Sequence, residues 1–177
     1  PDDLQKELDG KSFLESAIHI KNRFQLPETV EELMAIWNKM AMDCYVNKVK
    51  LKPGVEIFLK KLKENGIKTG IASSNSHVLV EATLKANGVL EYFDSVHTAD
   101  EVGKGKPSPD IYLLVADDLG VKPEKCLIFE DIVMGILAGK NAGMTTCAVY
   151  DKYSKEQDRE KKELAEYYIH DYNELLL

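Results

Sequence analysis

The stretch Lys125-Cys-Leu-Ile-Phe-Glu-Asp131 combines a short apolar, β-favouring run with two adjacent carboxylates at its end. A buried strand that stops at paired acids is typical of a doubly wound α/β sheet, in which chemistry gathers at the carboxyl ends of parallel strands. Adjacent carboxylates repel each other and usually persist beside a cation. The stretch therefore predicts a divalent metal site, formed by Glu130 and Asp131, at a strand tip. The alternative is a solvated turn in which Asp131 caps the helix that follows.

Strands and helices alternate around this stretch, from residue 51 to the end of the chain. The predicted helices cover residues 55–65, 78–87, 110–119 and 132–142, and the predicted strands lie within 67–72, 92–98, 125–131, 145–150 and 167–170. This rhythm implies parallel βαβ units and a three-layer α/β fold with a Rossmann-like parallel sheet. Because crossovers are right-handed, the loops after the strands should share one edge. Residues 151–163 are highly charged and are predicted to be a solvated loop and helix.

Residues 1–50 have no β-favouring run and follow helical spacing instead. Thr29 and Glu32 have the spacing of a capping box, and an amphipathic helix follows them. The sequence therefore predicts two parts. A small helical domain covers residues 1–50, and an α/β core covers residues 51–177.

Composition and charge narrow the class of protein and its partners. Hydrophobic residues make up 44% of the 177 residues and charged residues 30%, which is ordinary for a soluble globular chain. The net charge of −7 argues against nucleic acid or an anionic membrane as partner. Cys44, Cys126 and Cys147 form no Cys-x-x-Cys pair, so we expect neither a zinc knot nor a redox motif. A reduced, cytoplasmic protein that is a monomer or a weak homodimer is the expectation.

The turn Ser73-Ser-Asn-Ser76 lies between a predicted strand and a predicted helix. Hydroxyl groups and unpaired backbone N–H groups at a helix start favour an anion. This pattern makes Ser73, Ser74 and Asn75 candidate phosphate ligands. The simpler alternative is that one serine caps the helix, which needs only one of these residues.

A glycine-rich loop, Gly103-Lys-Gly-Lys-Pro107, supplies a candidate cation. Pro107 restricts the backbone of Lys106, and Lys104 lacks that constraint. The loop does not match a P-loop. Donor groups, one lysine and paired acids are together what a phosphoryl group and Mg²⁺ need. The sequence thus predicts magnesium-dependent phosphoryl transfer on a small phosphorylated metabolite.

At these three places the chain resembles the haloacid dehalogenase superfamily, in its phosphatase and β-phosphoglucomutase-like branch. Residues 71–75 resemble the motif whose serine binds phosphate, and residues 105–110 resemble the motif whose lysine holds phosphate and nucleophile. Residues 128–131, followed by Gly135, resemble the motif whose acids bind magnesium. The resemblance implies that Lys106 is a catalytic and phosphate-binding residue. It also implies that the helices before residue 50 form a cap domain over the substrate.

The family's first motif, an apolar strand ending in Asp-x-Asp-Gly, has no counterpart in these 177 residues. Asp2-Asp3 follow no strand, and Asp9-Gly10 lacks both a strand and a partner acid. Three explanations stay open: a piece of a longer enzyme, a phosphate-binding pseudo-enzyme, and a nucleophile supplied by rearrangement. We favour the first, and expect roughly 30–45 further residues at the amino end that carry the first strand and the nucleophile.

The cap sequence bears on the choice between phosphatase and mutase. Mutase-like relatives hold a second phosphate with a basic residue in an early cap loop, and Phe13 stands near that position here. Asn47 stands near a later cap lysine, although Lys11 could substitute. A second phosphate would therefore lack its counter-charge. The expected activity is hydrolysis of a sugar- or nucleotide-type phosphomonoester, and the alternatives are a sugar phosphate mutase and a non-catalytic phosphate-binding protein.

Overall fold

The computed structural model describes residues 4–176. Its main elements, in chain order, are α1 (Leu4–Leu8), α2 (Phe13–Phe24), α3 (Val30–Asn47), α4 (Val55–Glu64), β1 (Gly70–Ser73), α5 (His77–Ala86), β2 (Ser95–Thr98), α6 (Asp110–Asp118), β3 (Leu127–Glu130), α7 (Val133–Asn141), β4 (Thr145–Val149), α8 (Asp158–Leu164) and β5 (Tyr167–Ile169). The alternation predicted from residue 51 onward is confirmed, and the fold class is α/β. Asp2 and Asp3 lie outside the described residues.

Helices α2 and α3 begin at side-chain caps. Thr29 accepts a hydrogen bond from the Glu32 backbone while Glu32 bonds back to Thr29, so the predicted capping box is confirmed. A second box, formed by Ser12 and Glu15, starts α2. The Phe13 ring meets Trp37 edge to face at 5.8 Å, which packs α2 against α3.

The five strands form two parallel sheets instead of one continuous sheet. One sheet pairs β1 with β2, and the other has the order β3-β4-β5. Within the described residues β1 and β3 each pair on one side only. Their side chains are half-buried for the most part, whereas four of the five residues of β4 are buried because β4 has a neighbour on both sides.

Two helical layers hold the sheets together. On one face, Leu59 of α4 packs in a cluster with Ile71 of β1, and Phe58 of the same helix contacts the Phe129 ring of β3 at 5.6 Å. On the other face, Ala72 of β1 and Ile128 of β3 pack against one cluster from α6 and α7. Because successive strand residues point to opposite faces, these contacts define three layers.

The carboxyl ends of four strands lie beneath the helices α1–α3. The contacts are Asn38 with Ser76 after β1, Leu14 with Asp100 after β2, Gly10 with Met134 after β3, and Asp9 with Gln157 after β4. One helical segment therefore contacts the chain that follows each of β1 to β4. The predicted common edge is confirmed by these contacts.

The prediction of a solvated loop and helix over residues 151–163 is wrong in part. Lys161 has no exposed surface, and Ser154 is buried as well. The charge pattern misled the prediction because a lysine can be buried when several acceptors surround its ammonium group, and two of these acceptors, the carbonyl groups of Asp131 and Val149, lie 30 and 12 residues away.

Candidate active site

Lys106 and Glu130 form a buried ion pair at the end of β3. Their side chains are 7% and 9% exposed, and Lys106 Nζ contacts Glu130 Oε1. The same carboxylate oxygen accepts a hydrogen bond from the hydroxyl of Tyr112 in α6. The Tyr112 ring centroid lies 5.1 Å from Lys106 Nζ. A buried carboxylate is stable only when it is paired and hydrogen-bonded, and here two donors meet that need.

Gly135 explains how Glu130 fits against the next helix. A Cβ built on Gly135 would lie 2.2 Å from Glu130 Cδ, so only glycine leaves room for the carboxylate. Gly135 belongs to the first turn of α7, where the helix dipole favours a negative charge. The side chain of Glu130 is therefore fixed by Lys106, by Tyr112 and by the start of α7.

Asp131 follows directly, and its main chain is held by the loop after β4. Its carbonyl oxygen accepts hydrogen bonds from Ser154 Oγ at 2.6 Å and from Lys161 Nζ at 3.3 Å. Burial raises the pKa of the Asp131 carboxyl, and the negative charge of Glu130 raises the pKa further. The positive charge of Lys52 acts in the opposite direction on that pKa.

The alternative in which Asp131 caps α7 is wrong. The N-cap of α7 is Ile132, and no side chain of its own caps the helix. The Val133 backbone N–H donates instead to Gln157 Oε1 at 2.9 Å. The Asp131 carboxylate is thus not used by the helix start.

The serines of the turn after β1 have different hydrogen-bond partners. Ser76 is the N-cap of α5 and accepts from Leu79, so the capping role falls on Ser76 alone. Ser73 Oγ accepts from the Asn75 backbone at 3.1 Å. Ser74 Oγ is buried and has no hydrogen-bond partner among residues 4–176. A buried hydroxyl without a partner is uncommon, and an anion would supply the missing acceptor.

Helix α3 covers this turn with polar contacts. Asn75 Nδ2 donates to the Tyr45 hydroxyl at 2.5 Å, and Ser76 Oγ lies 2.5 Å from Asn38 Oδ1. The Asn75 amide is therefore engaged with α3 in this structure. Tyr45 and Asn38 carry no sequence signal that would have marked them, since the amphipathic pattern of α3 indicates packing only.

The structure brings some of the predicted residues together and keeps others apart. Lys106 contacts Glu130, and Asp131 is adjacent in sequence to that pair. Ser73, Ser74 and Asn75 lie at the end of a different sheet, and within the described residues no hydrogen bond joins them to Lys106 or to the acids. Both groups lie under the segment α1–α3. Lys104, the rival lysine, is 64% exposed and pairs with Asp110.

The acids offer oxygen ligands of the kind that Mg²⁺ prefers. Glu130 and Asp131 are two carboxylates at one strand end, and no side chain among residues 4–176 donates a hydrogen bond to the Asp131 carboxylate. In that range no cluster of three or more His, Cys, Asp or Glu side chains is arranged to hold a metal. Two carboxylates fit a cation such as Mg²⁺, which completes its coordination shell with water and phosphate oxygens.

Four residues around the acids were not predicted from the sequence: Lys52, Tyr112, Ser154 and Lys161. Lys52 lies before α4 and contacts Asp151 at 2.5 Å, 99 residues away. A lysine or serine in a polar stretch carries no signal of burial. Tyr112 follows the glycine-rich loop closely, but a tyrosine in a helix indicates core packing as readily as a site.

The fold and these side chains define an α/β core with a buried lysine and paired acids at the carboxyl ends of its strands. A model of the haloacid dehalogenase-like hydrolases matches residues 6–143. The chain belongs to this family.

Several of the curated relatives that match the chain are named phosphatases. The chain is 36% identical over 141 residues to the bifunctional riboflavin kinase/FMN phosphatase of Arabidopsis thaliana, covering 79% of the chain and 37% of that protein. It is 30% identical over 143 residues to the phosphorylated carbohydrates phosphatase of Thermotoga maritima, covering 81% of the chain and 66% of that protein. The chain therefore spans less than two thirds of the length of either relative.

A solved crystal structure has the same fold as this chain. CbbY from Rhodobacter sphaeroides in complex with phosphate superimposes with a TM-score of 0.86 at 26% identity, over 98% of this chain and 79% of that one. The resemblance stated from the three motifs is confirmed at the level of family and fold.

Proposed function

We propose that the protein to which these residues belong is a Mg²⁺-dependent phosphatase of a small organic phosphomonoester, of the sugar or nucleotide type, acting through an aspartyl-phosphate. The supporting observation is the buried Lys106–Glu130 pair under α1–α3. A lysine kept from solvent beside acids is a strong local charge, because its field is little screened. In this proposal Lys106 binds the phosphoryl group and stabilises the charge that develops on it.

The serine turn supplies neutral donors for the same anion. Ser73 and Ser74 would donate their hydroxyls to phosphate oxygens, and Asn75 would add its backbone N–H or its amide. The unpartnered, buried Ser74 hydroxyl supports this assignment. Asn75 would first have to leave Tyr45 if its side chain is to reach the ligand.

Glu130 and Asp131 would hold the magnesium ion. Bound there, the ion would act as a Lewis acid on a phosphoryl oxygen. Asp131 would be the freer of the two ligands, because Glu130 Oε1 already accepts from Lys106 and Tyr112. Glu130 would in addition fix the Lys106 ammonium group.

The attacking aspartate has no counterpart among the 177 residues, so in this proposal it lies outside them. Its carboxylate would displace the substrate alkoxide from phosphorus, and water would then hydrolyse the phosphoenzyme. The division into a helical cap, residues 1–50, and a core, residues 51–177, is part of the same proposal. The cap would exclude bulk water while the phosphoryl group is transferred to the aspartate.

A mutase is the second candidate, because the family branch includes such enzymes. A mutase needs a cation for a second phosphate. At the expected cap position Phe13 packs on Trp37 instead, and this contact favours the phosphatase. The Lys11 backbone lies beside Gly105 in the loop that carries Lys106, so Lys11 is the candidate cation for a mutase.

The test is turnover by the full-length protein. A panel of sugar and nucleotide monophosphates, assayed with Mg²⁺ and with a chelator, should release inorganic phosphate only when the metal is present. Conversion of β-glucose 1-phosphate to an isomer without phosphate release would favour the mutase. Binding of phosphate without turnover of any monoester would favour the pseudo-enzyme.

The cellular compartment and the oligomeric state are proposed as follows. We propose a cytoplasmic protein that is a monomer or a weak homodimer. Cys44, Cys126 and Cys147 are all free thiols, as a reducing compartment would leave them. Between residues 4 and 176 there is no helix with the length and apolar character needed to span a membrane.

A further inference from the structure

Lys161 is a charged side chain with no exposed surface and no part in the function proposed above. It lies in α8, and its side chain forms an ion pair with Asp158 at 2.7 Å. Its ammonium group also lies 3.3 Å from the Asp131 carbonyl oxygen, 3.4 Å from the Val149 carbonyl oxygen and 3.2 Å from Ser154 Oγ. Burial of an ammonium ion is costly, so these contacts must compensate for lost hydration.

The position of the two carbonyl acceptors in the sheet suggests what Lys161 does. Asp131 follows the last residue of β3, and Val149 is the last residue of β4. The two strands are parallel neighbours, with Glu130 opposite Ala148. One ammonium group therefore joins the carboxyl ends of two strands at the candidate metal site. Ser154 strengthens the link, since its hydroxyl donates to the same Asp131 carbonyl at 2.6 Å.

We propose that Lys161, together with Ser154, is a positioning residue for the acid pair. By fixing the Asp131 carbonyl, the two donors restrict the backbone on which the Asp131 carboxylate is mounted. The carboxylate is then held toward the site in the absence of metal, and less ordering is required when a cation binds. Partners of this kind behind metal ligands commonly change metal affinity by about 10–100-fold when they are removed. This inference rests on the proposed metal role of Asp131.

A merely structural role would have a different consequence. The opposite end of β4 has a comparable network, in which Lys140 donates to Glu166 at 2.9 Å and Glu166 accepts from Thr146. Lys140 lies in the last turn of α7, away from the acids. Loss of either lysine should destabilise the fold, but only loss of Lys161 should alter the metal site.

The experiment compares Lys161→Met, Ser154→Ala and the control Lys140→Met in the full-length protein. Mg²⁺ is titrated into metal-free protein by calorimetry, and thermal unfolding is followed without metal. We expect the Mg²⁺ dissociation constant to rise about tenfold for Lys161→Met and less for Ser154→Ala. Lys140→Met should unfold at a lower temperature and bind Mg²⁺ like the wild type.

The outcomes separate this inference from the proposed function. If the wild type binds no Mg²⁺, the proposed metal site itself fails. If the wild type binds and both site variants bind equally well, or if Lys140→Met weakens binding as much as they do, the positioning role is overturned. Should Lys161→Met not fold, Ser154→Ala decides, because it removes one hydroxyl and leaves the buried charge paired.

Discussion

Glu130 and Gly135 are five residues apart, and a Cβ on the glycine would lie 2.2 Å from the Glu130 carboxyl carbon. The strand end and the first turn of the following helix therefore meet with no room for a side chain. The relationship explains why a glycine occupies a helical position at which it costs about 1 kcal/mol relative to alanine.

Gly135→Ala should destabilise the protein. Helix propensity alone would favour alanine, but the added methyl group would displace the Glu130 carboxylate, and overpacking of this kind costs about 1–3 kcal/mol. Denaturant unfolding of the full-length protein measures the difference. Gly120→Ala is the control, because a Cβ there meets nothing within 4 Å and only the positive φ is strained. An unchanged or increased stability for Gly135→Ala would contradict the close packing.

Lys106→Met should cost about 3 kcal/mol of unfolding free energy, because it leaves the Glu130 charge buried without its partner. Lys106→Met combined with Glu130→Gln should recover much of that loss, which a double-mutant cycle would reveal. Phosphatase turnover should fall by about two to three orders of magnitude in the single variant.

The control for this prediction is Lys104→Met in the same loop. Lys104 is 64% exposed, and a surface ion pair contributes little. We expect a stability change below about 0.5 kcal/mol and near-normal turnover. If Lys104→Met and Lys106→Met lowered stability and turnover equally, the charge of the loop in general, and not the buried Lys106–Glu130 pair, would explain the loss.

Tyr112→Phe should keep the ring beside Lys106 and remove one donor from Glu130. The stability loss should be about 1 kcal/mol, the value of one hydrogen bond. Without the hydroxyl, Glu130 would attract Lys106 more strongly, so KM for the phosphomonoester should rise more than kcat falls. A loss confined to stability, with KM and kcat unchanged, would assign Tyr112 to packing only.

Glu166 should contribute stability that disappears in acid. Hydrogen bonds from Thr146, and then the Lys140 ammonium group, lower the pKa of its carboxyl from 4.5 to about 2. Because the folded-state pKa is below the unfolded one, the contribution is present above pH 4.5 and is lost as pH falls toward about 2. The side chain is 43% exposed, so solvent screening keeps the effect modest.

Thermal unfolding of the wild type and of Glu166→Gln across that range tests this expectation. The difference in unfolding temperature should be largest near neutral pH and should shrink as the carboxyl is protonated. A difference that stays constant down to pH 2 would mean that the charge of Glu166 is irrelevant.

Local sequence was enough to locate the main elements and the candidate residues. Apolar spacing, glycine stops and capping residues act within a few positions, so they predicted the strand before Asp131, the capping box at Thr29 and the helix after Pro109. The order of strands and helices then placed Ser73, Lys106 and the acids at strand ends, since crossover handedness is a general property of βαβ units.

Partners far apart in sequence were decided only by the tertiary structure. The sequence predicted that Lys106 lies in a loop and that Glu130 ends a strand, but their burial as a pair depends on how α6 brings the Tyr112 hydroxyl to Glu130. Lys161 is buried although its neighbours in sequence are charged, because the carbonyl groups of Asp131, just after β3, and Val149, at the end of β4, converge on it. Such convergence depends on three-dimensional packing, and no spacing along the chain encodes it.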